Sequence, residues 1–131
     1  MINKKLENLL EREKKIDETL KFIDFDNKDK INRALIEKNV INKLRMVIDP
    51  ELGINIFDLG LIYDFEVKDN VVYIEMTLTT VGCPLGNVIE ESIINNLKQD
   101  DFSEVKIKLT FDPPWTPYSL PYETKLKLNF L

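Results

Sequence analysis

Apolar residues at Leu6, Leu9, Leu10, Ile16, Leu20 and Ile23 recur near helical spacing, with Glu11, Arg12, Lys14, Lys15 and Glu18 between them. That is the pattern of an amphipathic helix. Asp24-Phe25-Asp26-Asn27 interrupts it, and Asp26 or Asn27 is placed to cap a second helix by accepting backbone N–H groups. Ile31, Ala34, Leu35, Ile41, Leu44 and Ile48 carry the helical pattern on to Asp49, where Pro50 disfavours the helical conformation of the residue before it. Beyond a loop the period changes to two. Leu61, Tyr63, Phe65 and Val67 alternate with Ile62, Asp64 and Glu66, and Val72, Ile74, Met76 and Leu78 alternate with Tyr73, Glu75 and Thr77. Asp69-Asn70 between the two runs suits a tight hairpin turn.

Leu85, Ile89, Ile93 and Leu97 then mark one face of a helix, which Val88 and Ile94 widen. A third strand follows, with Val105, Ile107, Leu109 and Phe111 facing one way and Lys106, Lys108 and Thr110 the other. Residues 122–130 read as a short helix that Pro121 starts at its first position. The order is helices, strand, strand, helix, strand, helix. The fold class expected is α+β: a small mixed β-sheet of about three strands with helices packed on it, the third strand parallel to the second through a right-handed crossover. At 131 residues and 44% hydrophobic the chain holds one core. It divides into a helical extension over residues 1–38 and an α+β domain over residues 39–131.

Charge and absences narrow the function. The net charge is −5, but residues 1–45 carry 12 Lys and Arg against 9 Asp and Glu, while the remainder carries 6 against 14. The acidic part repels phosphate backbones, which argues against nucleic acid as a partner. No run approaches the roughly 20 apolar residues of a membrane span, so the chain reads as cytoplasmic. Histidine is absent, which removes imidazole bases, Ser-His and Cys-His pairs and His-containing zinc sites. The single cysteine excludes an internal disulfide and a complete four-thiolate cluster site within one chain.

The candidate chemistry lies in three segments. Thr79-Thr80-Val81-Gly82-Cys83-Pro84 ends the second strand, and Pro84 as a first helical residue makes Cys83 the N-cap. A sulfur there faces backbone N–H groups and the positive helix end, which favour the thiolate that binds iron. Gly82 permits close approach of the loop, and Thr79 and Thr80 add hydroxyls. The residues alone leave open that Cys83 is simply a small buried cap. The second segment is the acidic loop 49–60, with Asp49, Glu51 and Asp58, which is either metal-ligating or a helix stop followed by turns in which Asp49 and Asp58 bond nearby backbone amides. The third is Asp112-Pro113-Pro114-Trp115, where two prolines fix an extended exit and Trp115 covers the core edge.

Four stretches, Asp49-Pro50-Glu51-Leu52-Gly53-Ile54-Asn55-Ile56, Asp58-Leu59-Gly60-Leu61-Ile62-Tyr63, Met76-Thr77-Leu78-Thr79-Thr80-Val81-Gly82-Cys83-Pro84 and Asp112-Pro113-Pro114-Trp115-Thr116-Pro117, resemble the small iron-sulfur assembly domain of SufT and PaaD proteins and of eukaryotic cytosolic targeting factors. The resemblance covers about residues 39–131. It implies a role in maturing iron-sulfur proteins, with the family's reactive cysteine at Cys83, its acidic pair at Asp49 and Glu51 and its threonines at Thr79 and Thr80. Val81 stands where the family usually has proline, Leu120-Pro121 replaces Met-Ser, and residues 1–38 have no counterpart. PaaD-type members carry further cysteines after this domain; none follows here, which favours the SufT-like reading.

The leading expectation is an accessory factor in iron-sulfur cluster assembly or transfer in which Cys83 transiently ligates the cluster, shared with a carrier, scaffold or client protein, with small thiols or across a homodimer. The alternative is a metal-free adaptor that recruits clients through the acidic loop and the Trp115 edge, including a PaaD-like service to an oxygenase. Thiol enzymology such as peroxide reduction ranks last, since it lacks a histidine base and a resolving cysteine, and the chain is not expected to be an enzyme.

Overall fold

The computed structural model describes residues 2–22, 26–80, 86–99 and 102–130. Its elements are α1 (Lys4–Lys21), α2 (Lys28–Leu44), β1 (Ile62–Lys68), β2 (Val71–Met76), α3 (Gly86–Lys98), β3 (Glu104–Leu109), a single 3-10 turn (Pro117–Ser119) and α4 (Tyr122–Lys127). The α+β order expected from the periodicity is the order observed.

β2 is the centre of a three-stranded mixed sheet, antiparallel to β1 and parallel to β3. Asp69 and Asn70 both adopt positive φ, 51° and 64°, which is the backbone of a two-residue turn matching the right-handed twist of its strands. The Asn70 carbonyl then accepts the Ser103 amide at 2.9 Å, fixing the start of β3 beside the hairpin. Strict alternation fails in β1. The register shifts between Ile62 and Asp64, and with this bulge Leu61 and Ile62 both enter the main core while Tyr63 is buried against Leu6 and Leu120, although Ile62 was expected to face out.

Val72, Ile74 and Met76 of β2 pack with Ile89, Ile93 and Leu97 of α3, the helix's face at steps of four. Burying each such side chain is worth about 2 kcal/mol relative to leaving it in water. Val88, expected on the same face, is exposed. β3 is less covered: Val105 and Ile107 are half-buried, and Lys106 and Lys108 are exposed.

The first helices differ in detail from their sequence pattern. Asn3 caps α1, its Oδ1 accepting the Lys5 amide at 3.0 Å. Asn27 occupies the cap of α2, yet its side chain makes no capping bond. α2 ends at Leu44, five residues before Asp49, because residues 47–56 form a tight excursion of their own: Ile48 bridges Asn55, and the Asp49 and Ile56 amides bond to Ile54 and Val47. Ile48 is exposed on this excursion, and Leu35, expected on the apolar face of α2, is exposed as well. α2 runs unbroken through residues 38 and 39, where the sequence reading divides extension from domain. Pro121 is the cap of α4 rather than its first residue.

Candidate functional site

The acidic loop is built by its own side chains. Asp49 is buried, and its Oδ1 accepts the amides of Glu51 at 2.8 Å and Leu52 at 3.0 Å. This Asx turn satisfies two donors that the excursion would otherwise leave unpaired, and it is the backbone-bonding role weighed for Asp49. It also lifts Glu51 onto the exposed tip of the loop, where Glu51 Oε2 accepts the Thr79 hydroxyl at 3.3 Å. Two of the three segments therefore meet directly.

The third segment meets the same loop from the other side. Trp115 is half-buried, packs against the core and donates its indole N–H to the Leu59 carbonyl at 2.8 Å. The Tyr63 hydroxyl donates to the Pro113 carbonyl at 2.7 Å. The Asp112–Pro113 peptide bond is cis, and Asp112 is exposed. Thr80 is exposed at the end of the described strand-to-helix connection. Gly82, Cys83 and Pro84 lie outside the described residues, as does the expected N-cap geometry of the thiol. Among the described residues no three Asp or Glu side chains form a metal-holding group.

Asp58 does not bond a backbone amide through its side chain; it is an ion-pair hub. Its Oδ1 accepts from Arg45 Nε at 3.0 Å, and its Oδ2 accepts from Asn55 Nδ2 and Lys127 Nζ, both at 2.9 Å. Arg45 also donates Nη2 to Glu13 Oε1 at 2.8 Å and contacts the second oxygen through Nη1, while lying over the Phe57 ring at 4.7 Å. Lys38 bonds Glu13 at 3.0 Å and Asp17 at 2.7 Å. The chain Asp17, Lys38, Glu13, Arg45, Asp58, Lys127 thus joins α1, α2, the acidic loop and α4. Sequence reading missed Glu13. The signal was present, because Glu13 stands four residues after Leu9 and three before Ile16, on the apolar stripe of α1.

Burial pushes the Glu13 carboxyl up, but hydrogen bonds from Arg45 and Lys38 outweigh it and hold the group below its ordinary value of 4.5. Asp58 follows the same logic: burial raises it, and Asn55, Lys127 and Arg45 together bring it below 3.8. Both folded values lie below the unfolded ones, so the stabilisation is complete above pH about 5 and is lost as pH falls through the lowered values. Urea midpoints measured between pH 7 and pH 3 should fall steeply below pH about 4.5 in the wild type and more shallowly in Glu13→Gln. Parallel curves would contradict the assignment.

The iron-sulfur cluster assembly protein family model matches residues 37–107. The chain is 37% identical over 98 residues to the Fe-S protein maturation auxiliary factor YitW of Bacillus subtilis, covering 72% of this chain and 94% of that protein. It is 39% identical over 86 residues to the Fe-S protein maturation auxiliary factor SufT of Staphylococcus aureus, covering 64% of this chain and 98% of the relative. The crystal structure of a domain of unknown function from Bacillus anthracis superposes with a TM-score of 0.63 at 32% identity, covering 72% of this chain and 92% of that one.

Proposed function

This chain belongs to the iron-sulfur cluster assembly protein family, and on that premise we propose that it is an accessory factor in maturing iron-sulfur proteins, handling a cluster as cargo through the thiol of Cys83. The observation that carries the reading is the hydrogen bond from Thr79 to Glu51. It ties the acidic loop to the threonine pair whose chain leads into Cys83, so the carboxylate and hydroxyl groups share one end of the sheet. A cluster takes four thiolates and this chain supplies one, so the remaining ligands come from a carrier or scaffold, an apo client, a second copy or small thiols. Sharing makes the cargo labile, which suits transfer. The role is that of a ligand donor rather than a catalyst, and the compartment is the cytoplasm; no described helix is long and apolar enough to cross a membrane.

Anaerobic reconstitution with ferrous iron and sulfide tests the reading. Wild type should acquire visible absorbance, Cys83→Ser should lose it, and Glu51→Gln should retain the fold while loading falls about tenfold, as for groups that support a metal ligand. Colourless wild-type protein would rule out direct ligation. The metal-free adaptor predicts a different split: Cys83→Ser still matures a client enzyme, and charge reversal at Glu51 abolishes maturation.

A further inference from the structure

The two outer strands of the sheet are finished differently. On β1, Phe65 turns its backbone groups away from β2, and side chains take both of them: Asp64 Oδ1 accepts the Phe65 amide at 2.9 Å, and Arg12 Nη1 donates to the Phe65 carbonyl at 2.6 Å. Arg12 also pairs with Asp64 and lies over the Phe65 ring at 4.1 Å, so α1 closes that side of the sheet.

β3 has no such cover. Thr110 donates its amide to the Met76 carbonyl at 2.9 Å. Backbone groups alternate sides along a strand, so Lys106 and Lys108 bond toward β2, and Val105, Ile107 and Leu109 turn their N–H and C=O groups outward. Among the described residues nothing bonds those outward groups. They are strong donors and acceptors that a further strand would satisfy.

The side chains give this edge a code. Lys106 and Lys108 stand exposed on one face of the sheet, and neither meets a carboxylate among the described residues. Lys106 lies near the Tyr73 ring at 5.8 Å, and Glu75, opposite Lys108, is engaged by Lys5. Glu104 begins the same face, which limits the cationic stretch to the two lysines. On the other face Val105 and Ile107 are half-buried and Leu109 is 40% exposed. A strand laid beside β3 therefore meets ammonium groups on one face and uncovered hydrocarbon on the other.

We propose that the outer side of β3 is a docking site for an extended segment of another protein in which acidic and apolar residues alternate. The segment extends the sheet by bonding the outward groups of Val105, Ile107 and Leu109. Its carboxylates pair across the strands with Lys106 and Lys108, and its apolar residues cover Ile107 and Leu109. Main-chain bonds supply the affinity, and the alternation supplies the selection. Because β3 runs parallel to β2, the Leu109 end of the docked segment lies beside Met76, from which the chain proceeds to Thr79. The inference rests on the edge of the sheet and not on Cys83 or cluster handling.

The probe is a fluorescein-labelled Val-Glu-Val-Glu-Val-Glu-Val peptide, added to the full-length chain and followed by fluorescence anisotropy. The chain carries a net charge of −5, so general attraction works against this probe. A peptide with lysine in place of glutamate should bind about tenfold more weakly, and so should one N-methylated at every amide, which keeps the charges and removes the strand-to-strand bonds. Lys106→Glu with Lys108→Glu should reverse the preference between the glutamate and lysine peptides. Wild type that leaves the glutamate peptide unbound or binds the N-methylated form equally overturns the proposal, as does an unchanged preference in the folded double variant. Hydrogen exchange on wild type places the site whether or not the variant folds. The Ile107 and Leu109 amides should exchange readily in the chain alone and slow about tenfold when the peptide is saturating. Rates that the peptide leaves unchanged overturn the proposal. Protection before the peptide is added also overturns it, because the edge is then already occupied by the chain itself or by a second copy.

Discussion

Replacing Arg45 by methionine should destabilise the protein by about 3 kcal/mol, the low end of what breaking a buried ion pair costs. The change removes the one group that serves both Glu13 and Asp58, whose side chains are 11% and 13% exposed. Each carboxylate keeps a second partner, Lys38 for Glu13 and Lys127 with Asn55 for Asp58. That retention sets the figure at the low end. Lys127→Met is the internal comparison: its side chain is 57% exposed, so its loss should cost under about 1 kcal/mol. Urea denaturation followed by circular dichroism measures both. Equal losses for the two variants would mean that Arg45 acts as one more surface charge.

Gly60→Ala should cost a similar amount, about 3 kcal/mol, by a different route. Gly60 has φ of +81°, and an added Cβ would stand 2.6 Å from Leu120 Cδ2 and 3.1 Å from Leu6 Cδ1. The backbone conformation alone disfavours an L side chain by roughly 1 to 3 kcal/mol. The clash adds to it because the buried Leu120 side chain must shift to make room. The two contributions separate in a double mutant. In a Leu120→Ala background the steric share disappears, so Gly60→Ala should there cost about 1 kcal/mol less. An unchanged cost in that background would assign the whole effect to the backbone.

The sheet was readable because its signals are local. Asp69-Asn70 carries its own turn geometry, and Val72, Ile74 and Met76 keep the period of a half-covered strand. Ile62 misled because a bulge is an insertion in the pairing of two strands, and one strand's alternation holds no record of it. Ile48 misled for a related reason. Its helical spacing is real, but backbone bonds from Asp49 to Ile54 and from Ile56 to Val47 satisfy that stretch better in an extended form.

The acidic loop shows where site residues could be read and where they could not. Asp49 before a proline announces a turn, and the Asx bonds to Glu51 and Leu52 deliver it. Asp58 has a local partner in Asn55, three residues before it, but its ion pairs are not local. Its partners Arg45 and Lys127 come from far along the chain, so its role depends on tertiary packing. The charge asymmetry was a clue to the same packing: basic Lys5, Arg12, Lys14 and Arg45 from the first part find acidic Glu75, Asp64, Glu123 and Asp58 in the second.

β3 closes the sheet on one side with its outer backbone groups unpaired by any described strand. Such a margin is a template on which another copy can lengthen the ladder, a hazard during synthesis, when many identical chains emerge close together. Lys106 and Lys108 stand exposed along it, so two copies approaching margin to margin bring like charges together. The mutual repulsion keeps crowded copies from growing into a continuous ribbon.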